Sequence, residues 1–102
     1  MSKSKIIDAI VETAHDLHEA GVMDTVTLRE FDAMKLPPVK KYSAAQIKRL
    51  RVKNKVSQPV FAACLNTSTS TVRQWEKDEK HPSGAAMKLL NIVDKQGLKA
   101  LM

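Results

Sequence analysis

Apolar residues recur at intervals of three and four through most of the chain, which is the spacing of amphipathic helices. The first such stripe is broad and runs through residues 4–20. Its members are Ile6, Ile7, Ile10, Val11, Ala14 and Leu17. Gly21 follows directly and is a residue type that commonly ends helices. The pattern predicts a helix over 4–20, with acidic residues and histidines on its other, solvent-facing side.

Residues 22–36 carry a pattern that is compatible with two structures. Thr27 followed by Glu30 fits a capping box, and this predicts a short helix over 28–34. Residues 26–28 are also suited to an extended edge strand. A short helix or turn over 28–34 is the preferred interpretation, and the strand remains the alternative.

Pro37 and Pro38 cannot continue a helix and favour an extended backbone, so they predict a stiff linker over 37–42. Four more helices are predicted beyond it, each from a capping signal followed by apolar residues. The capping signals are Ser43 with Gln46, Ser57 with Pro59, Thr67 or Ser68, and Pro82 with Ser83. The predicted inward residues are Ile47, Leu50, Phe61, Ala62, Leu65, Val72, Trp75, Ala86, Leu89, Leu90 and Val93.

The remaining turn and helix-ending residues complete an all-α prediction. Asn66 suits the turn between two of these helices, and Gly97 ends the last one. Leu98 and Leu101 then form an apolar tail that is either part of the core or a dimer contact. We therefore expect a helical arm over 1–36, the linker, and a domain of four or five helices over 43–102.

Composition limits the protein to one modest domain with an arm. The chain has 102 residues, 43% of them hydrophobic, which excludes a wholly disordered chain. It has neither a signal-peptide pattern nor an apolar run near the ~20 residues that a membrane span requires. Its single cysteine, Cys64, excludes an internal disulfide and suits a reducing compartment. We expect a cytoplasmic protein with no membrane partner.

Charge is divided unevenly at the two prolines. Residues 1–36 carry four basic and seven acidic side chains, a net charge of −3. Residues 37–102 carry thirteen basic and four acidic side chains, a net charge of +9. This asymmetry predicts different partners for the two parts, and nucleic acid is the simplest partner for the basic part.

Residues 57–77 carry the side chains that recognition of double-stranded DNA requires. Small polar or amide side chains on the first outward turns of a helix allow it to enter the major groove. Gln74 can bond adenine with two hydrogen bonds, while Arg73 and Lys77 suit phosphate or guanine. The candidate DNA-binding residues are Gln58, Thr69, Ser70, Thr71, Arg73, Gln74 and Lys77. The alternative is an ordinary polar helix on the surface of a bundle.

The segment SQPVFAACLNTSTSTVRQWEKDEKHPSG, residues 57–84, resembles the helix–turn–helix of the phage-repressor and Cro-like (XRE) family. The resemblance extends over roughly residues 43–95. It implies a domain that binds an inverted repeat as a homodimer, and a salt bridge between Arg51 and Glu76 behind the recognition helix. Residues 77–80 depart from the family, in which many members have a glycine after the Trp-Glu pair, and their two acidic side chains weaken a phosphate-gripping role for this loop.

The acidic arm and the junction EFDAMKLPPVKKYSAAQIKRLR, residues 30–51, are similar to those of HigA-type antitoxins of type II toxin–antitoxin systems. In that family a flanking segment wraps a basic, RelE-like or HigB-like toxin that cleaves mRNA, and the helix–turn–helix represses its own operon. The resemblance implies that acidic residues such as Asp8, Glu12, Asp16 and Glu19 face the toxin. The expected partner-binding residues are Ile6, Ile10, Asp16, Leu17 and Phe31.

Two alternatives to the antitoxin remain open. In the first, the chain is a stand-alone XRE-type repressor in which residues 1–36 pack on the domain or serve dimerisation. In the second, it is an adaptor that uses its basic face to bind a protein.

No enzyme is predicted. His15 and Glu19 lie one helical turn apart, but nothing elsewhere completes a tetrahedral metal site. The sequence has no Ser-His-Asp order and no glycine-rich phosphate loop. We therefore expect no catalytic residue, no metal and no cofactor.

Overall fold

The computed structural model describes residues 3–102 and is helical throughout. Its helices are α1 (Lys3–Glu19), α2 (Thr25–Asp32), α3 (Ala44–Lys53), α4 (Gln58–Cys64), α5 (Thr69–Glu76) and α6 (Gly84–Gln96), with short 3₁₀ helices at Ala33–Lys35 and Leu98–Leu101. The described residues contain no strand, so the all-α prediction is confirmed for them. No helix in this part of the chain is long and apolar enough to cross a membrane. The chain divides into an N-terminal unit that ends at Pro38 and a C-terminal unit, Val39–Met102.

The N-terminal unit is a hairpin of α1 and α2 with a small core. Its buried apolar side chains are Val11, Ala14 and Leu28. Helix α1 ends at Glu19, and the chain turns at Gly21, whose φ is 76°; the Val22 N–H beyond it donates to the Leu17 carbonyl at 3.0 Å. This reversal of the chain direction lets α2 return along α1.

One local prediction for this hairpin is wrong. Residues 25–32 form a helix, but the Thr27–Glu30 capping box does not begin it. Asp24 caps the helix instead, because its carboxylate accepts the Thr27 N–H at 2.7 Å. On the side of α1 predicted to face solvent, His15 is exposed and His18 is half-buried, and each also contacts α2. His15 Nε2 lies 2.6 Å from Asp32 Oδ1, and His18 Nε2 lies 3.1 Å from Thr25 Oγ1.

The core of the C-terminal unit is formed by α3 to α6 and the C-terminal 3₁₀ turn. Its members are Ile47, Leu50, Phe61, Ala62, Leu65, Val72, Trp75, Leu90, Val93 and Leu98. Of the predicted inward residues, only Ala86 and Leu89 are less than fully buried, and both pack against this core. Leu98 is buried and Leu101 packs beside the core, which supports the core interpretation of the apolar tail.

Three helices of the C-terminal unit end on a non-glycine residue with positive φ: Lys55 at 59°, Asn66 at 55° and Asp78 at 62°. After each, an N–H donates to a carbonyl five residues earlier, in the pairs Val56 to Arg51, Thr67 to Ala62, and Glu79 to Gln74. These are Schellman ends, in which glycine is the usual residue at the left-handed position. The helix ends are therefore closed by backbone hydrogen bonds despite the steric cost of the side chains.

Lys40 and Tyr42 are hydrogen-bonded to side chains of α6. The Lys40 N–H donates to Asn91 Oδ1 at 2.8 Å, and Asn91 Nδ2 donates to the Lys40 carbonyl at 3.0 Å. The Tyr42 hydroxyl donates to Asp94 Oδ2 at 2.8 Å. Part of the segment predicted as a linker therefore belongs to the C-terminal unit.

Candidate nucleic-acid interface

Helices α4 and α5 pack against each other and are joined by a tight polar turn. Ser57 Oγ accepts the Val60 N–H at 3.4 Å, and Ser68 Oγ accepts the Thr71 N–H at 3.1 Å. Each serine therefore satisfies an N–H that the first turn of its helix would leave unpaired. Asn66, in the left-handed conformation, turns the chain between the two helices.

The two faces of α5 have different chemistry. Val72 is fully buried and Trp75 is 4% exposed, which anchors the inner face in the core. On the outer face Ser70 and Arg73 are exposed, and Gln74 is half-buried. Ser70 and Gln74 lie four residues apart and so share one side of the helix. This face combines a hydroxyl, an amide and a guanidinium on a rigid support.

The other predicted DNA-binding residues on or next to α5 differ in how accessible their side chains are. Thr69 begins the helix and is half-buried. Thr71 Oγ1 lies 2.8 Å from Ser68 Oγ, so its hydroxyl already has a partner in the helix cap. Lys77 is exposed at the C-terminal cap of α5. Hence Ser70, Arg73 and Lys77 are the predicted residues on or next to α5 that are exposed, whereas Gln74, like Thr69, is half-buried.

A nearly buried ion pair fixes the C-terminal end of α5. Arg51 Nε donates to Glu76 Oε2 at 2.8 Å, and a second guanidinium nitrogen donates to Glu76 Oε1 at 2.9 Å. The side chains are 15% and 5% exposed, respectively. The hydrogen bonds to Glu76 raise the pKa of Arg51. This is the ion pair that the resemblance implied. Its two parallel hydrogen bonds fix both the distance and the relative orientation of the guanidinium and the carboxylate.

Gln58 is part of the same network. Its Nε2 donates to Glu76 Oε1 at 3.3 Å, and Arg51 also donates to the Val56 carbonyl at 3.2 Å. Burial raises the pKa of Glu76, but the hydrogen bonds from Arg51 and Gln58 outweigh it and leave the pKa below its ordinary value. The network joins the end of α3, the start of α4 and the end of α5. Gln58, which the sequence predicted as a DNA-binding residue, thus has a partner within the protein that the sequence did not reveal.

The N-terminal unit carries an apolar groove between α1 and α2. Its volume is about 290 Å³. The residues that line it are Ala9, Ile10, Thr13, Ala14, Leu17, Met23 and Phe31. Three of the predicted partner-binding residues, Ile10, Leu17 and Phe31, are therefore brought together. Met23 was missed, because nothing in its local pattern shows that the turn after α1 folds back onto this face.

The other two predicted partner-binding residues do not line the groove. Ile6 is 48% exposed and lies nearer the start of α1. Asp16 is exposed, as are Glu12 and Glu19 on the same helix. Asp8 differs from these acids, since Lys35 Nζ lies 3.4 Å from its carboxylate.

No protein-family model and no curated protein sequence matches the chain. The geometry of the two units is therefore the basis for assigning a function. Among the described residues, no three His, Cys, Asp or Glu side chains are grouped so that they would hold a metal ion.

Proposed function

We propose that the C-terminal unit is a Cro-like helix–turn–helix domain that binds double-stranded DNA through α5 and represses transcription. The observation that carries this proposal is the outer face of α5, where Ser70, Arg73 and Gln74 project from a helix anchored by its inner face. The unit has a net charge of +9, which favours approach to a polyanion.

Each outward side chain has a defined role in this proposal. Gln74 reads a base edge, because its amide can both donate to and accept from adenine. Ser70 is small and allows the helix to lie deep in the major groove. Arg73 and Lys77 add phosphate contacts that position the helix without selecting a sequence. A homodimer would place two copies of α5 on the halves of an inverted repeat.

The test compares Gln74→Ala with Lys77→Ala on an operator selected from random duplexes and on unrelated duplex. Gln74→Ala should weaken operator binding by about 1–3 kcal/mol and leave binding to unrelated duplex nearly unchanged. Lys77→Ala should weaken both by similar amounts and lower the salt dependence. Lys95→Ala, which removes an exposed charge from α6, is the matched control. Equal losses on both duplexes for Gln74→Ala would contradict the assigned base-reading role.

We also propose that the N-terminal unit makes the chain an antitoxin, by binding a basic toxin that cleaves mRNA. The net charge of −3 on this unit is complementary to a protein that must hold RNA phosphates. The groove offers exposed apolar area, since Ile10 and Leu17 are 38% and 39% exposed. An exposed apolar patch with polar surroundings is typical of a protein-binding surface.

Purification of the native complex and a matched pair of variants test this second proposal. The partner should be a small basic protein that cleaves mRNA when released. Leu17→Glu should weaken its capture at least tenfold, because a carboxylate in the groove loses its water without gaining a partner. Val26→Glu is the control, since Val26 is 73% exposed and does not line the groove. A chain that purifies without such a partner would favour the stand-alone repressor. A Leu17→Glu variant that inhibits the toxin normally would instead show that the groove is not the toxin-binding surface.

A further inference from the structure

The backbone of Lys40 is held on both sides by one buried amide. Asn91 Oδ1 accepts the Lys40 N–H, and Asn91 Nδ2 donates to the Lys40 carbonyl. Asn91 Nδ2 also donates to the Met87 carbonyl of α6 at 2.8 Å. Asn91 is 6% exposed and is the one buried polar residue among residues 4–102. Its orientation is therefore fixed, and it pairs with Lys40 as a neighbouring strand would.

Lys40 lies two residues after the end of the N-terminal unit, close to the point in the sequence where the two units are joined. The N-terminal unit ends at Pro38, and Lys40 and Lys41 follow with exposed side chains. Exposed segments between folded units are the places where proteases most often cut. Two consecutive lysines are a recognition signal for endoproteases that prefer a basic residue. The side chains of this site are presented to solvent, while the backbone of Lys40 is not free.

We propose that Asn91 is a latch that controls proteolytic separation of the two units at Lys40–Lys41. A polypeptide bound in extended form makes main-chain hydrogen bonds through its N–H and C=O groups. Those are the groups of Lys40 that Asn91 occupies, so the latch must open before a protease can bind. Cleavage then adds water to the Lys40 carbonyl carbon and breaks the bond to the Lys41 nitrogen. Lys40 is left with a carboxylate, and the Lys41 amine takes up the proton.

The latch makes the cutting rate depend on a local opening equilibrium. When opening and closing are fast compared with cleavage, the rate follows the fraction of chains in the open state. Cleavage would break the covalent link between the acidic and basic units at a bond outside the core around Phe61 and Leu90. This inference does not depend on which ligands the two units bind.

The experiment is limited digestion of the full-length chain by trypsin, with the fragments identified by mass. The rate of cutting after Lys40 is divided by the rate of cutting after Lys80, which lies in the exposed loop after α5 and whose N–H donates to the Gln74 carbonyl at 3.3 Å. Asn91→Asp keeps the acceptor for the Lys40 N–H but turns an oxygen toward two carbonyls. We expect this ratio to rise about tenfold or more, equivalent to about 1.4 kcal/mol. An unchanged ratio would overturn the proposal.

The ratio separates the latch from a general loss of stability, since global unfolding accelerates both cuts together. Hydrogen exchange on the unmodified chain tests the latch even if Asn91→Asp does not fold. The Lys40 amide should exchange at least tenfold more slowly than an unstructured peptide amide, because its N–H is bonded to Asn91. Exchange of the Lys40 amide at the unstructured rate would refute the latch.

Discussion

Replacing Arg51 with methionine should destabilise the C-terminal unit severely, because it leaves a nearly buried carboxylate without its cation. Methionine retains much of the apolar stem of arginine, so the change removes mainly the charge and its hydrogen bonds. Glu76 is 5% exposed and would keep only the 3.3 Å hydrogen bond from Gln58. Breaking one partner out of a buried ion pair typically costs about 3–5 kcal/mol. Because Arg51 itself is 15% exposed, we expect a value near the lower end, about 3 kcal/mol.

The double variant Arg51→Met/Glu76→Gln distinguishes two contributions to the loss of stability, namely the missing hydrogen bonds and the unpaired charge on Glu76. Glutamine retains an acceptor for Gln58 and carries no charge, so the double variant should recover at least about 1 kcal/mol of the loss. Urea unfolding followed by fluorescence measures these differences, since Trp75 is the only tryptophan and is buried in the core. Lys53→Met on the exposed side of α3 is the control and should change stability by less than about 0.5 kcal/mol.

Acid should reduce the penalty of Arg51→Met. In the folded chain the pKa of Glu76 lies below its ordinary value of 4.5. A group with a depressed folded-state pKa stabilises the fold above its unfolded-state pKa, and this contribution is lost as the pH falls through the folded-state value. The difference between the unmodified chain and the variant should therefore narrow below about pH 4.5. A loss of stability under about 1 kcal/mol for Arg51→Met at neutral pH would refute the reasoning. A double variant no more stable than the single variant would refute it as well.

Three further predictions concern other parts of the structure. Lys55→Gly should stabilise the chain by about 1 kcal/mol in urea unfolding, because glycine adopts the positive φ of this position without steric cost; no gain would show that Lys55 is unstrained. Burial and the hydrogen bond to Asp94 raise the pKa of Tyr42 to about 12, so the stability that Tyr42 contributes should be present below pH 10 and lost as the pH rises toward 12. Tyr42 is the only tyrosine, so tyrosinate absorbance reports its titration directly; Asp94→Asn should lower this pKa, and identical titrations would contradict the assigned cause. Asp24→Ala should destabilise α2 and reduce helical circular dichroism, whereas Asp24→Asn should largely retain the cap; equal losses would argue against capping.

The helices of the C-terminal unit were predictable because their signals are local and agree with each other. Ser43, Ser57 and Ser68 each precede apolar residues at helical spacing, and each serves as a cap in the structure. The helix over 25–32 was harder to place, because two capping residues compete within a few positions. Asp24 prevails over Thr27, whose own N–H is the donor in the observed cap.

Contacts between residues that are distant in sequence could not be predicted from the local pattern of apolar and polar residues. The amide of Asn91 bonds Lys40 across 51 positions, and nothing near either residue signals this pairing. A polar residue in the inward stripe of α6 is the one clue, since a buried amide requires partners. For the candidate interface, the residues of α5 followed from helical spacing, whereas the bond between Gln58 and Glu76 required the fold.

The separation of the two cores has an evolutionary consequence. Val11, Ala14 and Leu28 are buried within the N-terminal hairpin, and none of them belongs to the core that surrounds Trp75. Substitutions in the groove of the hairpin can therefore accumulate without disturbing the packing beneath α5. The two surfaces are free to diverge at different rates, and a lineage can exchange the ligand of one while it retains the ligand of the other.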